Sequence, residues 1–274
     1  MAENAVLRLT ADDAACKNEI DEAILQLASS GVVTHVAAFT NYGLAGSFCR
    51  RLGTSATAGI HLNLSSGKSL TDPSLISSLV DGVGRFHCPT PDDETKMHHS
   101  LATFLTERVP TFRPLHIKTE LTAQIKAFQD EVGRSPAFCT IHHDLDQVPV
   151  VRDVMKSIFP TQPGRQALLE SARLAGVFST FLSPNDDLSR AQTKIRSMAI
   201  RALQVVRTNS SNVVEIVCHP GFASSDLSDF TVYIKQRELE FKVWANPSIL
   251  SELHIVSRSV DGFHVDKTLI ESVV

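Results

Sequence analysis

Short apolar runs rich in β-branched residues alternate with helix-period segments along this chain, and several of the runs end in polar clusters. That alternation restricts the fold to parallel βαβ units, in which loops along one edge of the sheet converge on a ligand. Val6–Thr10 reads as a buried strand that delivers Ala11, Asp12 and Asp13 at its far end. Ile20, Ala23, Ile24, Leu27 and Ala28 recur at helical spacing, and Gly31 stops that helix. Val32–Phe39 reads as a second strand, Ala45–Leu52 as a short helix and Ala58–Leu64 as a third strand. Residues 65–118 are less regular, with loop signals at Thr90-Pro91-Asp92-Asp93 and from Pro110 to Pro114. Glu120–Val132 is an amphipathic helix with Leu121, Ile125 and Phe128 on one face, ended by Gly133, and Ala137–Ile141 follows as a strand. A helix starts at Pro149, Val213–Cys218 is a late strand and Phe230–Trp244 a late helix.

The 274 residues suit one α/β barrel, which commonly runs to about 250 residues. No linker, repeat or low-complexity segment divides the chain, so a single domain over residues 1–274 is expected. With 26 Lys+Arg against 30 Asp+Glu the net charge is -4, which argues against a nucleic-acid-coating protein. No stretch approaches the roughly 18 apolar residues of a membrane span, so no membrane partner is expected. The opening Met-Ala-Glu-Asn is too acidic for a signal peptide, and a cytoplasmic protein is the default. Cysteines at 16, 49, 88, 139 and 218 form no C-x-x-C pair, which argues against a disulfide framework and a thiolate zinc site.

Asp12-Asp13, His61, His142-His143-Asp144 and His219 all fall on or just after these strands. A carboxylate with two imidazoles is a common ligand set for a divalent catalytic metal. A second carboxylate nearby serves as a base and a further histidine as an acid. Ordinary roles fit the same residues: a helix cap for the aspartates, a hydrogen-bonded core histidine for His61, surface polarity for His142-His143 and a turn for His219-Pro220-Gly221. The residue types alone leave both readings open. His87, His98, His99, His116, His254 and His264 have no comparable placement and read as structural or surface residues.

Thr10-Ala11-Asp12-Asp13, Gly59-Ile60-His61-Leu62-Asn63-Leu64, Gly84-Arg85-Phe86-His87, Glu120-Leu121-Thr122-Ala123-Gln124-Ile125, Cys218-His219-Pro220-Gly221 and Arg237-Glu238-Leu239-Glu240 occur in that order. Taken together they resemble the YdjC-like carbohydrate deacetylase family, with its A-D-D-F-G, G-V-H-L-N-L, E-L-x-A-Q-I and H-P-G-Y motifs. Two departures stand out. Ala14-Ala15 replaces the family's Phe-Gly, and the family's D-S-H-Q-H-V-H falls on Thr140–Asp146, where only its first histidine survives, as His142. A shift of one would use His143 instead, but the ungapped match through Pro149 favours His142.

The resemblance implies a distorted, TIM-like α/β barrel, a divalent metal (Mg2+ or Zn2+) and removal of acetyl from an N-acetylated sugar or short oligosaccharide. Carried over residue by residue, Asp13, His61 and His142 bind the metal, Asp12 is the base and His219 the acid. A homodimer is the assembly expected. Two other readings remain: a degenerate member that binds a sugar or protein without turnover, and a hydrolase of a non-sugar amide or ester. One Trp and two Tyr argue against a long aromatic sugar platform and for a short substrate. Asp146 follows His142 at an interval of four, which shares its face on either a strand or a helical turn. It is therefore expected to face the pocket and to favour neutral or amine-bearing substrates; a solvated loop position for Asp144 and Asp146 is the alternative.

Overall fold

The computed structural model describes residues 4–87, 101–159, 174–208, 213–252, 255–259 and 262–266. The loop read at Thr90–Asp93, together with His98, His99 and His254, lies outside them.

Strand β1 (Asn4–Ala14) runs through the middle of the sheet. Leu7, Leu9 and Ala11 are buried towards the helices, while Arg8, Thr10 and Asp12 alternate to the inner face, where Thr10 Oγ1 donates to Glu215 at 2.6 Å. Parallel pairing continues through β2 (His35–Ala38), β3 (Thr57–Leu62) and β4 (Cys139–Ile141) on one side. On the other side lie β6 (Val213–Cys218) and β5 (Leu174–Ser179), giving the order β4-β3-β2-β1-β6-β5. This parallel sheet curls into a half-barrel, a distorted version of the TIM-like barrel. Among the described residues nothing pairs β4 with β5, so the barrel is open there. A hairpin of β7 (Ile255–Ser259) and β8 (Gly262–Asp266), absent from the sequence reading, adds antiparallel to Asn4–Leu7 of β1.

Helix α1 (Asn18–Ser29) buries the five residues whose spacing announces it, and α2 (Ala45–Leu52) has the bounds read from the sequence. Helix α3 (Pro114–Val132) begins one and a half turns earlier than Glu120, because Pro114 occupies the first helical position, where its missing N–H costs nothing. Gly133 at φ 77° caps it in the left-handed conformation. Helix α4 (Pro149–Ile158) also starts on its proline. Helix α5 (Leu188–Thr208) carries no assignment in the sequence reading, yet buries Ala191, Ile195, Ala199, Ala202 and Val206 against the sheet. Helix α6 (Lys235–Trp244) is shorter than the Phe230–Trp244 expected, since the Thr231 hydroxyl accepts from the Tyr233 N–H and holds a turn there instead. Helix α7 (Pro247–Glu252) follows. Among the described residues no helix is long and apolar enough to cross a membrane.

Two motifs find their reason here. Gly59 lies where a Cβ would meet the Phe138 ring and carbonyl at 2.6 Å, so β3 tolerates no side chain at that point. Gln124 of α3 clamps the end of β3 by accepting from Asn63 N at 2.9 Å and donating to Asn63 O at 2.6 Å. One turn earlier, Glu120 accepts from Leu70 N, Thr71 N and Gln124 Nε2, which fixes the loop at the rim of the barrel.

Candidate functional site

Parallel strands put their C-terminal ends on one edge, and the polar clusters meet there. Asp13 lies near the end of β1, His61 is on β3 in register with Thr140 of β4, and His142 directly follows β4. Asp13 Oδ1 is 3.2 Å from His61 Nε2 and 3.2 Å from His142 Nδ1, and the two nitrogens are 3.3 Å apart. The buried Phe39 ring makes T-shaped contacts with both imidazoles, at 4.6 Å and 5.2 Å between centroids. Asp13 Oδ1 is sealed from solvent, with the two imidazole nitrogens as its polar neighbours and no well-aligned hydrogen bond, a costly state for a carboxylate oxygen unless a cation reaches it. Ligand atoms about 2.05 Å from one ion stand about 2.9 Å apart in octahedral and about 3.3 Å apart in tetrahedral coordination. The triangle thus has the dimensions and donors of a divalent-metal site.

Adjacent residues on a strand normally face opposite sides. Strand β1 departs from this through a bulge: Ala11 pairs with Val36 and Ala14 with Ala38, leaving Asp12 and Asp13 opposite the single residue Ala37. Both carboxylates consequently line one cavity. Among the described residues, the non-glycine positions with positive φ are Asp13, Ala15, His143 and Asp144, and all four flank this site. Ala15 (φ 64°) keeps the left-handed turn at the place of the family motif's glycine, with its N–H donating to Asp21 Oδ1 at 2.7 Å.

Asp12 is also buried, with Oδ1 accepting from Thr140 Oγ1 at 3.2 Å and Oδ2 3.7 Å from His61 Nδ1. Arg237 of α6 donates from Nη2 to Asp13 Oδ2 at 2.6 Å. Burial raises the Asp13 carboxyl, but the Arg237 guanidinium, followed by His142 and His61, outweighs it and holds Asp13 well below the usual carboxylate range. His219 follows β6, and its ring stacks on Phe181 at 5.5 Å. Burial pushes its imidazole down to about 3; Asp13 opposes this and the charge of Arg237 adds to it. The ring is therefore neutral at ordinary pH, and its Nδ1 is buried without a hydrogen-bond partner. Glu240 holds the His219 backbone, accepting from its N–H at 2.7 Å as well as from the Tyr233 and Thr180 hydroxyls.

A family model described as YdjC-like protein matches residues 6–254. The chain belongs to the YdjC-like family. Another protein similar to this YdjC-like chain is a carbohydrate deacetylase of Geobacillus stearothermophilus, 25% identical over 256 residues that cover 89% of this chain and 91% of the relative. A solved structure of an Enterococcus faecalis protein, named for a proposed role in cellobiose-phosphate cleavage, matches with a TM-score of 0.70 and 19% identity, over 90% of this chain and 93% of that one. At that identity the likeness speaks for the fold.

In this YdjC-like chain a cavity of about 230 Å³ opens over the triangle and takes in Asp12, Asp13, His61, His142 and His219 together. Its outer wall is largely apolar, with Leu101, Leu105, Phe181 and Phe230. Asp144 is among the lining residues, and Asp146, expected there from the sequence, is not one of those named on the cavity wall. Left-handed φ at both His143 and Asp144 reverses the chain, so neither the strand nor the helical interval applies after His142. His143 packs its ring on His142 at 3.9 Å and bonds Ser65 Oγ at 2.9 Å, on the cavity wall rather than in the triangle. His116 bonds Ser78, and His35, unremarked in the sequence, bonds Thr34; neither lines the cavity. Sequence reasoning assigned no role to Arg237, Glu240 or Thr140. The Arg237-Glu238-Leu239-Glu240 motif contains the first two, but its sequence does not say what either one holds.

Proposed function

We propose that this chain removes acetyl from an N-acetylated sugar or short oligosaccharide by metal-assisted amide hydrolysis. The buried triangle of Asp13 Oδ1, His61 Nε2 and His142 Nδ1 carries this reading, and the carbohydrate class rests on the Geobacillus relative. Asp13, His61 and His142 would hold Mg2+ or Zn2+, which when bound supplies Lewis acidity at the amide oxygen and acidifies water. Asp12, a carboxylate lining the same cavity, takes the proton of the attacking water. His219 lines another part of the cavity wall and passes a proton to the departing amine, which otherwise leaves poorly. Burial holds the His219 ring neutral at rest. Negative charge developing beside it raises its proton affinity, so it picks up a proton from solvent as the reaction begins, and the proton that Asp12 has taken from the attacking water returns to solvent afterwards. Arg237 keeps Asp13 ionised and oriented, and Phe181, Phe230 and the two leucines exclude bulk water.

Asp144 adds a negative charge to the lining, which favours neutral or amine-bearing substrates over anionic ones. Residues from Asp12 to Glu240 build one site, which supports treating the chain as a single domain. The test is metal analysis of the purified protein followed by acetate release from N-acetylglucosamine oligomers. The expected result is about one divalent ion per chain and acetate release that a chelator removes and the metal restores. Sugar binding without acetate release would identify a binding protein instead, and release from non-sugar amides alone would move the substrate class.

A further inference from the structure

Thr140 and His61 are direct partners in the β3–β4 register, and with Asp12 they form a dry group, each no more than 3% exposed. Thr140 Oγ1 is 2.5 Å from His61 Nδ1 and 3.2 Å from Asp12 Oδ1. A hydroxyl has one proton to donate and lone pairs to accept with, whereas an ionised carboxylate only accepts. The Thr140 proton therefore goes to Asp12, and at the other contact its oxygen accepts, so the ring proton of His61 must sit on Nδ1. Asp12 Oδ2, 3.7 Å from that same nitrogen, favours a proton there as well. Nε2 is left bare, facing Asp13 and His142. The opposite tautomer would turn the Thr140 hydroxyl away from Asp12 and place a proton on Nε2, in the middle of the donor triangle.

We infer that Thr140 is a positioning residue that fixes His61 in the Nδ1–H tautomer and links its ring to Asp12. This deepens the metal reading above, and only its metal-affinity arm rests on that reading. The sequence gives the inference its particularity. Thr140 stands where the family motif begins with Asp, and in this chain a hydroxyl lies between the His61 ring and the charge of Asp12. One residue, Asp12, then faces the reaction cavity and steadies a metal ligand at once.

The direct test is long-range ¹H–¹⁵N correlation of the histidine rings in metal-free protein at about pH 8.5, well above the usual imidazole range, with His61 assigned by its loss in His61→Gln. Wild type and Thr140→Ser are expected to carry the proton on Nδ1, and Thr140→Val to lose that preference. Removing such a support typically weakens metal binding about 10–100-fold; zinc affinity measured by competition calorimetry should fall by that factor in Thr140→Val and return to within about threefold of wild type in Thr140→Ser. A wild-type His61 protonated on Nε2 overturns the inference, as does a Thr140→Val protein with unchanged tautomer and affinity. If Thr140→Val does not fold, the wild-type spectrum and Thr140→Ala decide. If wild type binds no zinc, the metal reading fails while the tautomer measurement still judges Thr140.

Discussion

Arg237 and Glu240 stand one turn apart on a single face of α6 and hold two different parts of the site. Arg237 grips the Asp13 carboxylate at 2.6 Å, and Glu240 grips the backbone N–H of His219 at 2.7 Å. Both side chains are buried, so the helix sets the separation of strand β1 from the loop after β6. The first grip suggests a measurement.

Arg237→Met should destabilise the metal-free protein by about 3–5 kcal/mol, because it strands the buried Asp13 charge without a partner. Added zinc should recover part of that loss by supplying the missing positive charge. Urea unfolding with and without metal checks both parts; a variant as stable as wild type would show that the pair contributes little.

Ala15→Gly should stabilise the fold by about 0.5–1 kcal/mol, since a left-handed backbone strains alanine but not glycine. The gain is the relief of strain less the greater flexibility that glycine gives the unfolded chain. Paired denaturation curves would reveal it, and a loss of stability would mean the turn is not strained.

Stability should carry a pH signature from Asp21, whose carboxyl burial raises to about 6 against the opposing hydrogen bond from Ala15. Between the unfolded value of 3.8 and the folded value of about 6, the folded state keeps a proton that the unfolded state has released. Raising the pH through that window therefore costs stability, by about 3 kcal/mol in all. Asp21→Asn keeps an acceptor for the Ala15 N–H and should remove this slope. The stability difference between variant and wild type, followed from pH 4 to 7 on the scale of these shifts, is the quantity to plot; no trend would exclude the burial effect.

Asp12→Asn should lower kcat by about 10²–10⁴ while bound metal is retained, because an amide oxygen still accepts from Thr140 but takes no proton from water. Loss of the metal without loss of fold would make Asp12 a ligand. Turnover close to wild type would end its assignment as base.

Asp144→Asn should raise kcat/KM for acidic N-acetyl sugars relative to neutral ones by about tenfold, as expected for removing one charge near a substrate in a partly dry cavity. Asp146→His should leave the ranking alone. The reverse pattern would restore Asp146 to the pocket.

The sequence made the strands legible because their apolar runs end in chemistry: Asp12-Asp13, His61, His142 and His219 could be collected simply as residues at strand ends. Helix α1 was equally readable from the spacing of Ile20, Ile24 and Leu27. Arg237 was different, because its target lies 224 positions away and no local pattern reports a contact of that range. Asp144 escaped because the intervals of strand and helix say nothing once two successive residues enter the left-handed region. Strand β5 contains a glycine, Gly176, and the small Ala191, Ala199 and Ala202 on the buried side of α5 give a weak apolar signal.

The bulge in β1 makes the spacing of the site a matter of counting. An extended strand keeps sequence neighbours apart by sending one to each side, so two consecutive acids would ordinarily share no task. Here a single surplus residue against β2 cancels that separation and lets Asp12 and Asp13 work in the same space. Deleting one residue between Thr10 and Ala14 would restore a regular ladder and a tidier sheet, while sending one of the two acids towards the helices. The disorder in the ladder is thus part of the site, and a version of this protein idealised for stability at that point would be expected to fold well and do nothing.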